Sequence, residues 1–247
     1  MSQIVELTPA DRRRWFMEGV RQAFTGPAYF VAVALIGVGG LARAAGFPAG
    51  VAVLSTLLIW AGPAQLLFFG AAAAKTSWLA VAVSVSLSSI RFLPMCLSVL
   101  PMLRTPGTRR STLWLAAHFV AVTVWVESLR RLPDIDRPAR MPFFFGFALA
   151  CILTTSLFTG VGYFLVAALP PALAVGVLFL SPVYFLATLI RGARAPVDWF
   201  ALTAGLVLAP VTEAFVGGGL DLMALGLVGG TAAYLAGRWH EARRAEP

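Results

Sequence analysis

The chain is predicted to be all-α: a polytopic integral membrane protein with about eight transmembrane helices. Three observations carry that reading. The composition is too apolar for water, the apolar runs have spanning length, and the basic residues gather between those runs. Of 247 residues, 59% are hydrophobic and 12% charged, and the mean hydropathy is +0.84. A soluble domain is about half apolar and about a quarter charged, so this chain has too few charged groups to cover an aqueous surface. Its net charge is +8. The basic residues nevertheless fall in short clusters and form no basic domain, so the expected partner is the lipid bilayer and no nucleic acid.

Crossing about 30 Å of hydrocarbon takes roughly 20 helical residues. Ahead of the first such run, residues 1–24 read as a short interfacial segment with Trp15 and Phe16 at headgroup depth. Runs of spanning character follow at 27–45, 49–73, 77–103, 112–129, 142–168, 172–190, 197–215 and 219–237. The second, third and fifth are longer than a span needs. The seventh carries Asp198, Pro210 and Glu213, so a count of seven stays open. Residues 130–140, with Pro133, Asp134, Asp136 and Pro138, read as a loop. No soluble domain interrupts the chain, and residues 1–247 are read as a single transmembrane permease domain. Arg13-Arg14-Trp15-Phe16 is similar to a twin-arginine signal, but the long run and further spans after it argue against a cleaved leader.

Basic residues accumulate in cytoplasmic loops near helix ends. Eight spans with both termini inside place 14 of them on one side, Lys75 included, and 4 on the other: Arg43, Arg104, Arg109 and Arg110. Arg91 falls inside a span. That asymmetry predicts a multi-pass protein of the cell (inner) membrane with both termini cytoplasmic. Pro48, Pro63 and Trp78 have counterparts in Pro171, Pro182 and Trp199, which allows a 3+1+3 internal repeat of the kind common in transporters. Coincidence among proline-rich membrane helices explains the same spacing.

The most informative stretch is 59–101. Pro63 cannot donate to the carbonyl of Ile59, and Gly62 weakens the helix beside it, so a free carbonyl is predicted near mid-depth. Two residues on, Gln65 can both donate and accept. In the third run Ser84, Ser88 and Arg91 are spaced i, i+4, i+7 and share a helix face. Pro94 and Pro101 release the carbonyls of Ile90 and Leu97 and predict a kinked outer half. An arginine at that depth must face protein, water or a counter-charge. Either it is a fork that holds a solute carboxylate by two parallel hydrogen bonds, or it bridges to Glu127 or Glu213 and organises the bundle. His118 is a candidate proton relay or a satisfied bundle histidine. Glu213 is placed near the outer mouth of the seventh run. Thr155, Thr159 and Gly162 form a small-residue stripe that fits helix packing.

Enzyme chemistry has little to work with. There is no His-Glu-x-x-His, no Gly-x-Ser-x-Gly and no phosphate loop, and only two histidines. Cys96 and Cys151 both lie in apolar runs and read as packing residues, so neither metal nor cofactor is expected.

At Ala61-Gly62-Pro63-Ala64-Gln65, Ser88-Ser89-Ile90-Arg91 and the run 92–100, the chain resembles the AzlC family, the large permease subunit of branched-chain amino acid exporters. Gly62, Gln65 and Arg91 match that family's Gly-x-x-Gln and Asn-x-Arg signatures, while Ser89 stands where asparagine is usual. Glu127 falls about where the family carries an Asp-Glu pair, here preceded by Val126, and a tryptophan of the fifth span is missing. The resemblance implies export of small hydrophobic or branched-chain amino acids. It places Gly62, Gln65, Ser89 and Arg91 at a substrate site, to which the proline break and the shared helix face add Pro63, Ser84 and Ser88, and it implies a small AzlD-like membrane subunit of about four spans as partner. The rival readings are a non-transporting structural subunit, a permease for another small polar solute, and a channel. The scattered Ser, Thr and Gln form no ring of the kind a channel needs.

Overall fold

The computed structural model describes residues 7–193, 196–215 and 221–245, which form twelve α-helices with no strand among the described residues. Its spine is α9 (Arg137–Ala168), 32 residues and about 48 Å long. Alongside it run α1 (Pro9–Ala23) and α2 (Pro27–Ala44), bent 61° at Gly26 and its neighbours. Thr8 starts α1 by accepting from the Asp11 N–H at 3.2 Å and donating to the Asp11 carboxylate at 2.6 Å.

Glycines set how closely these helices meet. A Cβ on Gly146 would lie 2.0 Å from the carbonyl oxygen of Phe16, and one on Gly162 would lie 1.9 Å from that of Ile36. Gly39 approaches the carbonyl of Thr159 just as closely. Backbone-to-backbone contact of this kind is what small residues permit where no water drives association. Phe16 faces Gly146 and Ile36 faces Gly162, so α1 and α2 run in the same direction as α9. The next helix, α10 (Pro171–Gly192), returns antiparallel to α2, with Leu178 beside Gly40 and the Ser181 hydroxyl donating to the Ala34 carbonyl. The last two, α11 (Pro196–Phe215) and α12 (Asp221–Ala245), pair antiparallel through Gly229 near Leu208 and Gly237 against Val197.

Between α2 and α9 the second, third and fourth apolar runs are each expected as one span, the second weakened at Gly62-Pro63 and the third kinked at its prolines, and each is divided into two helices. α3 (Ala49–Ile59) and α4 (Gly62–Ala73) are separated by Trp60 in the left-handed region (φ 36°) and extended Ala61. α5 (Trp78–Ser89) and α6 (Phe92–Leu103) bend by 46°, and α7 (Arg110–His118) and α8 (Val122–Arg131) by 120°. Proline explains the first two breaks. Pro63 and Pro94 sit in the first turns of α4 and α6, so the ladder stops at Ile59 and Ile90. The third break, at 119–121, contains neither proline nor glycine.

The first pair folds back on itself. Gln65 reaches Ser55 and Thr56, and the ring of Phe69 lies 5.3 Å from that of Phe47. In one straight helix those rings' backbones would be about 33 Å apart. The third pair does the same from the other end of α9, with Leu132 and Ile135 beside Ala139 and Phe143, and Arg140 donating to the carbonyls of Met102 and Ile135. Neither pair advances as a straight span does. The expected proline correspondence between halves also differs, since Pro63 follows a break whereas Pro182 lies within continuous α10.

Candidate functional site

All three breaks face one cavity of about 320 Å³ beside the middle of α9. The first break supplies Trp60, Ala61, Gly62 and Pro63, the second Arg91 and Phe92, and the third Ala121, Val122 and Thr123. Irregular backbone at membrane depth is tolerated only where it is buried in protein or lines a cavity, and all three breaks contribute to the cavity lining. The opposite wall is apolar, with Leu35, Phe185 and Leu189.

Among the described residues, Arg91 supplies the only charged side chain of this lining. Its guanidinium carbon lies 5.3 Å from the Phe92 ring centroid, and its buried Nε has no hydrogen-bond partner. Of the two carboxylates considered as its bridges, Glu127 is engaged elsewhere. Glu127 pairs with Arg131 at 2.8 Å and Arg130 at 3.7 Å, on its own helix. The Glu213 side chain lies outside the described residues. Arg91 therefore makes no ion pair among the described residues. It also sits in the joint between α5 and α6, not a turn further along the face of Ser84 and Ser88, because Pro94 ends the helix before it.

Two helices begin at the cavity. Neither α4 at Gly62 nor α8 at Val122 has a side-chain cap, so free N–H groups and the positive end of each helix dipole lie on the same wall system as Arg91. The lining thus combines positive potential at one side with mostly apolar surface at the other, and among the described residues it holds no carboxylate.

The remaining predicted residues fall around this cavity and not in its lining. Gln65 is fully buried two residues beyond Pro63, and its Nε2 donates to Ser55 Oγ and Thr56 Oγ1, each at 2.9 Å. Thr56 is joined at 2.9 Å to Thr159, which donates to the Thr155 carbonyl at 3.0 Å. This chain of hydroxyls ties α4 through α3 to α9, and Gln65 Oε1 is left without a partner. Ser84 is buried, Ser88 half-buried, and Ser89 donates to the Val85 carbonyl at 2.8 Å. His118 Nε2 lies 2.9 Å from the carbonyl of Leu57. A carbonyl only accepts, so Nε2 carries the proton and satisfies an orphan acceptor at the end of α3.

Sequence reading missed Trp60, Thr123, Cys151 and Phe185 as lining residues. They come from four helices or breaks, and no local pattern marks a residue as facing a cavity that other elements complete.

An apolar helical bundle with broken helices around an internal, positively lined cavity is the architecture of a membrane transport protein. A family model for the AzlC protein matches residues 27–169, more than half of the chain. The chain belongs to the AzlC family. No curated protein and no solved structure matches it.

Proposed function

We propose that this chain is the permease subunit of a cell-membrane system that exports small hydrophobic, branched-chain-type amino acids, with both termini cytoplasmic. The observation that carries the proposal is the Arg91 guanidinium, which makes no ion pair among the described residues and is the one charge they place on the cavity lining. A half-buried arginine at membrane depth is costly without a counter-ion, and a zwitterion's carboxylate would supply that charge through a bidentate fork. The uncapped starts of α4 and α8 add to the same attraction. Leu35, Phe185 and Leu189 offer an aliphatic side chain a dry wall. Gly62 and Pro63 shape the wall next to the carboxylate, Gln65 holds that wall in place, and the serines of α5 support the Arg91 joint. Outward direction and dependence on a small AzlD-like membrane subunit follow from the family resemblance.

Transport of labelled leucine and valine in membrane vesicles tests the site. Arg91→Gln removes the charge and is expected to abolish transport, while Arg91→Lys keeps the charge without the fork and should lower it at least about tenfold, the equivalent of roughly 1.4 kcal/mol. Detergent-extracted yield and thermal stability are measured beside both. Near-normal transport by Arg91→Gln removes the binding role, and activity that falls only in step with folded protein makes the arginine structural.

A further inference from the structure

We infer that residues 49–73 and 110–131 do not cross the membrane but enter it as two re-entrant helical hairpins from opposite faces, meeting tip to tip at the cavity, while six helical elements cross. The long helix α9 serves as the ruler. At its C-terminal half the Tyr163 hydroxyl donates to the Phe47 carbonyl at 2.8 Å, so the base of the α3–α4 hairpin lies at that end. At its N-terminal end Ala139 and Phe143 pack with Leu132 and Ile135, which form the base of the α7–α8 hairpin. The tips meet between. Trp60 and Phe119 have ring centroids 6.1 Å apart, Phe119 also lies 5.9 Å from Phe145, and His118 closes onto the Leu57 carbonyl.

Lengths agree with half-depth penetration. Helices of 11, 12, 9 and 10 residues are about 14 to 18 Å long, half of a hydrocarbon core of about 30 Å. Between the hairpins, α5–α6 crosses once and carries the chain from one face to the other. Crossings by α2, α5–α6, α9, α10, α11 and α12 then agree with the parallel packing of α2 on α9 and the antiparallel return of α10.

Charge supplies an independent check. Unbroken spans put Lys75 on the N-terminal face and Arg104, Arg109 and Arg110 on the opposite one. With hairpins, Lys75 joins Arg43, and the three arginines join the N-terminal cluster. The division sharpens from 14 and 4 to 16 and 2, with Arg91 still inside. A stronger positive-inside bias is the direction expected of the true topology. The inference needs the membrane part of the proposed function but no transport activity, so its test fails or passes independently of the solute.

Single cysteines at Lys75, Arg109 and Asp134, all exposed, are placed in a chain with Cys96→Ala and Cys151→Ala. A membrane-impermeant maleimide is applied to intact cells and to inside-out vesicles, with a tag at the N-terminus marking its face. Lys75→Cys is expected to label from the face opposite the N-terminus, and Arg109→Cys and Asp134→Cys from the same face. Exposed Ser77, Pro106 and Asp136 serve as second reporters for any position that resists labelling. Lys75 on the N-terminal face, or Arg109 and Asp134 on different faces, would make at least one segment a true span and overturn the opposed pair.

Discussion

A single Cβ separates contact from collision at the glycines of α2 and α9. The hydrogen of Gly39 faces the carbonyl oxygen of Thr159, where a methyl carbon would sit 1.9 Å away, and the neighbour is backbone that cannot rotate aside. Gly39→Ala must therefore push α2 off α9. Overpacking of a fitted interface costs typically about 1–3 kcal/mol, and a backbone neighbour places this site at the upper end. The thermal midpoint in detergent is expected to fall by several degrees, with Gly50→Ala, which faces open space, as the control that should not move. Equal stability of the two variants would sink this account of the spine. Arg91 belongs to the same scale for a different reason: its charge was legible in the sequence because an apolar run tolerates few such residues, whereas its position in a joint depended on where Pro94 stopped the helix.

The hairpin of α3 and α4 shows where sequence reading stops. A largely apolar run of 25 residues with one proline describes a kinked span and a folded-back pair equally well, because hydropathy measures immersion and not direction. The break itself was legible from Gly62-Pro63. The reversal was not, since it depends on Gln65 finding Ser55 and Thr56 and on Phe68 and Phe69 finding Phe47. For α7 and α8 even the break had no local signal, and the turn is held by contacts with α6, such as Trp125 Nε1 donating to Ser98 Oγ at 2.8 Å. The buried amide of Gln65 is thus the fastener of the first hairpin. Gln65→Met keeps the length and loses both hydrogen bonds, leaving two buried hydroxyls to rearrange, at a cost of about 1–3 kcal/mol. Limited proteolysis should cut 49–73 faster in that variant, while cleavage elsewhere stays unchanged. A digestion pattern identical to the parent would assign the fastening to the phenylalanines instead.

At the scale of the whole molecule, the proposed exchange of two spans for two hairpins would lower the count from eight crossings to six and would still leave both termini on one face, because removing two crossings preserves parity. The described bundle keeps large apolar side chains on its outside, among them Leu153, Leu157 and Phe164 on one face of α9, which are exposed in the isolated chain. Lipid covers such a face adequately, so exposure alone does not call for a protein neighbour. The proposed dependence on a small membrane subunit rests on the family resemblance, and it makes a quantitative prediction. If that subunit is needed to complete the transport cycle, purified chain in liposomes should show leucine counterflow at background level, and co-reconstitution with a four-span AzlD-like protein should raise it at least about tenfold, as for a step lowered by roughly 1.4 kcal/mol. Thermal stability measured on the same samples separates two roles: a rise in midpoint with no gain in flux would make the subunit a stabiliser, by the usual linkage of binding to folding. Full flux from the chain alone would overturn the requirement and place the whole cycle within these helices.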